Sequence, residues 1–339
     1  MRRFAAVSRI AIPLAGVLLV SACSSAGKTQ TDELQIVQNP VAVQAAVSPA
    51  TTVKPAGQVI TGPAVTALVT DPATKTLTVA ISQPPSLRIY DLASLSGAPR
   101  ATVPLPGVVE RLTVSPAGVL ASVPSKGVLA QVTLPGGQLR SIPVAGQPAA
   151  GVMDNGQTLV AVRDRKAVEV LAGGAVTKTI TGQIYSADDV LDTGTGVVVL
   201  DRLRTAVFSV DVAGGTIGAG LRAGDGAANA VSDSYGRVLV TDARAGALLA
   251  FSAKPLLLRQ RYPVDGGIYG IAYDTQRNLA WVTLTGRNEV VGFDVRGGEP
   301  VEKFRFPTVR QPDSVTVDEQ TGSVVVGSAD GEGTQVIQP

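Results

Sequence analysis

The chain has 339 residues, 45% hydrophobic and 17% charged, which is apolar material for one large domain or two ordinary ones. A single cysteine excludes an intramolecular disulfide, and the absence of histidine removes Ser-His-Asp triads, Cys-His pairs and His-bearing zinc or haem sites. The formal charge of +2 comes from the N-terminus: without residues 1–22, whose three arginines are the only charged groups there, 26 basic and 27 acidic side chains remain, so no basic footprint invites nucleic acid.

Arg2, Arg3 and Arg9 form a positive leader region ahead of an apolar stretch from Ile10 to Val20. That stretch is too short to cross a ~30 Å hydrocarbon core as a helix. Val20-Ser21-Ala22-Cys23 then fits a lipobox: an aliphatic residue, two small ones that pass extended through a peptidase cleft, and a thiol as acyl acceptor. The pattern predicts a lipoprotein signal peptide over 1–22, cleavage before Cys23 and lipidation there, with palmitate-type acyl chains as the anchor. Two or more chains hold stably, since each buried CH₂ contributes ~0.8 kcal/mol. The protein is accordingly expected at the cell membrane, lipid-anchored on the extracytoplasmic side. Residues 23–52, rich in Ser, Thr, Gln, Ala and Pro, read as a flexible tether with little structure.

From residue 53 to 339 the chain repeats. A polar turn recurs at Asp71, Ser115, Asp154, Asp192, Asp233, Asp274 and Asp318, at spacings of 44, 39, 38, 41, 41 and 44 residues. Each turn precedes a short apolar strand, among them Val119–Val123, Val238–Thr241 and Val324–Gly327. Third strands follow at Leu87–Asp91, Val207–Val212 and Glu289–Val295, and fourth strands at Leu139–Val144 and Ala175–Thr181. Four strands in ~40 residues, repeated, is the pattern of a propeller blade. A blade cannot bury both faces alone, so neighbours must stack around an axis. The last unit runs out after its third strand, and Gln58–Gly62 resembles the fourth strand at Lys178–Gly182. The reading is an all-β, seven-bladed β-propeller closed by an N-terminal strand.

Asn278 to Asp294 (NLAWVTLTGRNEVVGFD) resembles the YVTN/NHL class of propeller repeat, with looser matches at Arg88–Asp91 and Phe208–Asp211. The likeness spans roughly residues 57–339 and implies architecture, not activity. With the lipobox, the Ala/Gly/Val bias and 21 Arg against 8 Lys, the whole chain resembles a conserved actinobacterial lipoprotein of mycobacterial type. That class implies a cell-envelope location and no defined reaction.

On a propeller of this register, two sets of residues fall on the face that carries the loops between second and third strands. Around the channel mouth lie Glu110, Arg111, Asp188, Asp189, Asn229, Tyr269 and Asp313, whose carboxylates and amide oxygen could hold a hard cation such as Ca²⁺. The set is similar to that of calcium-dependent lactonases of six-bladed propeller type, from which this chain departs in blade number and motif. Outside it, Arg163, Arg165, Lys166, Arg202, Arg204, Arg244 and Arg287 form an arc suited to carboxylate or phosphate, partly neutralised by Asp164, Asp201 and Asp242. Trp281 reads as a residue packed between blades.

The preferred functional reading is a non-catalytic binding or scaffold module with no cofactor. Its partners would be the membrane, through the lipid, and an envelope protein or anionic envelope ligand. The alternative is a lactonase-like hydrolase with a divalent cation at the channel mouth.

Overall fold

The computed structural model describes residues 39–339; the leader, Cys23 and the first part of the tether lie outside the described residues. The described chain is all β apart from two short 3-10 turns, at Leu92–Ser94 and Pro124–Lys126. Its sheets stand in a propeller-like arrangement. Five are four-stranded, and a sixth has eight strands. The eight-stranded sheet comprises two antiparallel meanders, one from Pro148–Asp154 to Ala175–Thr181 and one from Asp189–Asp192 to Thr216–Arg222. A single parallel pair, Thr181 with Thr216, joins them.

The inner strands are Val65–Asp71, Arg111–Ser115, Pro148–Asp154, Asp189–Asp192, Ala227–Ser232, Ile268–Asp274 and Pro312–Val317. Each touches the next in sequence, and the last touches the first, so the ring closes. Because every sheet is covered on both faces by its neighbours, its middle strands are apolar throughout instead of alternating. Thr76–Ile81, Gly118–Val123 and Leu279–Leu284 are buried at every position. Apolar clusters fill the gaps between successive sheets. One joins Leu129, Ile142 and Val144 to Val160, Val162 and Leu171. Another joins Val65, Leu77 and Ile81 to Val325 of the last sheet.

Aspartates start the turns for a local reason. At Asp71, Asp192, Asp233, Asp274 and Asp318 the carboxylate accepts the backbone N–H two residues on, at 2.8–3.1 Å. This fixes the reversal between inner and second strands. The segment around Val59 pairs with that around Val336, as the sequence predicts: Gln58 faces Val336, Val59 faces Gln335 and Ile60 faces Thr334. The N-terminal strand thereby becomes the outermost strand of the final sheet. Trp281 is buried, with its ring stacked 5.6 Å from Phe304 and 6.4 Å from Phe306, so it packs the interface between the last two sheets.

Residues 43–49 depart from the expected flexible tether. They have no regular secondary structure, yet they are hydrogen-bonded along the loop face before the chain turns outward to Gln58–Ile60. The cause is a set of polar groups on that face aimed at an extended backbone, described below.

Candidate functional site

The turns between second and third strands are tight, and several hold their last residue in the left-handed region. Lys166 (φ 53), Thr205 (φ 47), Asn288 (φ 52) and Gly246 (φ 63) occupy that position. Arg163, Arg165, Lys166, Arg202, Arg204, Arg244 and Arg287 all belong to these turns, at the end of the ring where Arg163 meets the mouth residues Glu110 and Asp188.

The arginines on that face are not an open arc. Arg163 reaches inward and donates to Glu110 at 2.6 Å and to Asp188 at 2.8 Å, joining the two sets that the sequence separated. Burial alone would lower its pKa, but the two carboxylates more than reverse this and hold it firmly protonated. Arg165 pairs with the buried Glu169 at 3.3 Å. Burial raises that carboxyl, with Arg165 opposing. Arg204 is 4% exposed; its guanidinium lies 4.9 Å from the Tyr185 ring and 5.4 Å from that of Phe208. It therefore packs a loop to its sheet instead of facing a ligand, and the Lys166 ammonium also lies over the Tyr185 ring, 5.7 Å from its centroid. Arg202 donates to the carbonyl of Val43 at 2.5 Å, and Arg244 to that of Asp225 at 2.8 Å. Arg287 stays exposed beside Gly266.

The acids read as neutralising the arc have a different role. Asp242, fully buried, accepts backbone N–H groups of Asp225, Gly226 and Ala245 at 2.8–3.1 Å. Asp201 likewise accepts from Tyr185 and Arg204 N–H and from the Ser186 hydroxyl. Asp164 accepts from Gln147 N–H at 2.7 Å. Each ties the segment entering an inner strand to a neighbouring turn. At Asp201 and Asp242, burial of the carboxylate with its backbone donors makes the clamp a structural one, whereas Asp164 is exposed.

At the mouth, Arg111 crosses to Asp189 in close contact and also donates to the carbonyl of Ala230 at 2.7 Å. Burial pushes the Asp189 carboxyl up to about 6 in spite of the opposing guanidinium and the Val190 N–H. Among the described residues Asp313 has no ion-pair partner; it accepts from the Gln311 amide at 2.9 Å, and burial raises it to about 6 against that hydrogen bond. The Asn229 amide donates to the carbonyl of Tyr269 at 3.1 Å. Among the described residues no group of three or more acidic or thiol ligands is arranged around a cation position. The donor set does not fit Ca²⁺, because Glu110, Asp188 and Asp189 would first have to surrender their guanidinium partners. Below the mouth the channel holds about 550 Å³. Its wall turns apolar at Val152, Leu191, Val231 and Ala272, with Tyr273 deeper still.

Sequence reasoning missed the groups that hold residues 43–49. Gln311 is the centre: its amide oxygen accepts from Ser48 N–H at 3.0 Å, and its amide nitrogen donates to the carbonyl of Ala46 at 2.9 Å. Its own N–H donates to the Ser48 hydroxyl at 2.8 Å, which in turn donates to the carbonyl of Thr285 at 2.7 Å. The Asn288 amide donates to the carbonyl of Pro49 at 3.0 Å. A Cβ on Gly267 would come within 2.8 Å of the Ala46 methyl, so the strap passes close over the face there. The sequence carries no alternation to announce the segment, since from Val41 to Val47 only Gln44 is polar.

The architecture has a solved counterpart. The chain is similar to a chain of hydrazine synthase from Kuenenia stuttgartiensis, with a TM-score of 0.70 at 16% identity, covering 87% of this chain and 99% of that one. At that identity the likeness is one of β-propeller fold alone. No protein-family model matches the sequence, and no curated protein matches it either.

Proposed function

We propose that this chain is a membrane-anchored cell-envelope lipoprotein whose β-propeller, of seven blades, is a non-catalytic binding module with the loop face as its contact surface. The blade count is supported by the eight-stranded sheet, which contains two four-stranded meanders joined at one residue pair. The envelope location is supported by the lipobox at Val20–Cys23 and by the resemblance to actinobacterial lipoproteins.

The observation that carries the binding reading is the docked segment itself. The face already holds an extended chain, through amides and a guanidinium aimed at its backbone. The mouth carboxylates Glu110, Asp188 and Asp189 are meanwhile paired with arginines, and most of the arc arginines are engaged with carboxylates or backbone groups. That favours a protein segment over an anionic envelope ligand, and binding over hydrolysis.

Two measurements test this. Cys23→Ser should move the protein from the membrane fraction to the soluble fraction, and retention of the variant in the membrane would remove the lipid anchor. Photocrosslinkers at Arg163, Arg202 and Arg244 in its native cells should capture a reproducible neighbour that the same groups at Asn155 and Gln320, on the opposite end, do not. Equal capture from both ends, or none from the loop face, would overturn the binding surface.

A further inference from the structure

We infer that the loop face between Arg202 and Gln311 is a recognition groove for an extended peptide that carries Ser-Pro, and that residues 43–49 are its resident ligand bound in cis. The inference rests on the binding reading above and names the class of partner.

Almost every contact is made to peptide backbone. Carbonyls of Val43, Ala46 and Pro49 receive side-chain donors from Arg202, Gln311 and Asn288. The N–H of Ser48 is received by Gln311. Such contacts read an extended main chain whatever its side chains, as in other modes of strand and peptide capture. Selectivity enters at the serine. The Ser48 hydroxyl is both donor to Thr285 and acceptor from Gln311, and the residue is 5% exposed, so only a small hydroxyl side chain satisfies both partners. At Ala46 the chain lies close over Gly267 and Gly286, where a side chain on either glycine would meet its methyl.

Of the strap's two valines, Val43 is half-buried against Gly226 and Val47 is 87% exposed. A segment present to fill a core would bury Val47 and expose its serine; here Ser48 is buried and Val47 faces solvent. The strap also leaves the face through Thr51, Thr52, Val53 and Lys54, all exposed, before the strand at Gln58–Ile60 begins. It is thus a short ligand on a linker, held at high effective concentration while it remains covalent.

The test uses the full chain with a protease recognition site inserted between Thr52 and Val53, and a fluorescent peptide of residues 43–50 (VQAAVSPA). Before cleavage the labelled peptide should not bind, since the resident strap outcompetes it. After cleavage and dilution the strap should leave and the labelled peptide should bind saturably. The same peptide with Ser48 replaced by Val should bind at least tenfold more weakly. Gln311→Asn, which keeps a residue tolerant of its φ of 48 but withdraws the amide by one carbon, should weaken binding at least tenfold in the same assay. A cleaved strap that survives dilution and dialysis would make it a permanent packing element and overturn the inference. So would a strap that leaves while no peptide binds up to millimolar concentration. If peptide binding fails but loop-face crosslinks from Arg163 and Arg244 persist, the peptide class falls and the binding surface stands. If both fail, the surface falls with it.

Discussion

Asp313→Asn isolates one buried charge at the channel mouth. In the fold its carboxyl titrates near about 6 instead of the ordinary 3.8, because burial penalises the ionised form and the Gln311 amide only partly offsets this. Between those pH values the folded protein keeps a proton that the unfolded chain has released. Stability therefore falls as pH rises from about 4 to about 6, and the loss is complete above that range. About two pKa units correspond to about 3 kcal/mol. The mouth is partly open to water, so about 1–2 kcal/mol is the realistic share. Asparagine removes the charge while its amide oxygen can still accept from Gln311. At pH 7 the variant should be more stable by about that amount, which for a domain of this size raises Tm by roughly 2–4 °C. At pH 3.5 the two proteins should melt alike. Thermal unfolding followed by circular dichroism at both pH values is the assay. A variant that melts lower at pH 7, or that gains equally at pH 3.5, would refute the reasoning. Asp189 shifts in the same direction, so a weaker pH slope should persist in the variant.

Two other substitutions probe the scaffold. Asp242→Ala leaves three backbone N–H groups of a buried connection without their acceptor and should destabilise the protein by about 2–4 kcal/mol, read from chemical denaturation. Trp281→Ala empties the space between the last two sheets and undoes the stack with Phe304 and Phe306, for a loss of about 3–5 kcal/mol in the same experiment. A cost below about 1 kcal/mol in either case would mean that the surroundings close over the gap.

The fold was readable wherever its causes are local. Turn aspartates and the strands behind them announce themselves because Asx chemistry and uniform apolarity need no distant partner. The predicted Val119–Val123 and Val324–Gly327 each fall one residue short of the observed Gly118–Val123 and Val324–Ser328. Even the closure was legible, since Gln58–Gly62 looks like another outer strand. The site was legible by position and not by partner. Which face Arg163 occupies follows from the repeat, but its reach to Glu110 and Asp188 depends on how successive sheets rotate about the axis. Arg204 reads as a surface cation because its packing on Tyr185 and Phe208 involves residues from outside its own turn. Residues 43–49 were misread as loose because an extended segment carries no strand signal when side-chain amides, and not another strand, supply its hydrogen bonds.

The reading of the loop face depends most directly on that segment being held. Amide hydrogen exchange at the Ser48 N–H, which donates to the Gln311 amide oxygen, followed by NMR, measures it. Exchange should be at least tenfold slower than for a structureless chain of the same sequence, and the protection should be lost in Gln311→Asn. Exchange at the structureless rate in the unaltered protein would contradict the docked strap, and with it both the peptide groove and the main support for a binding face.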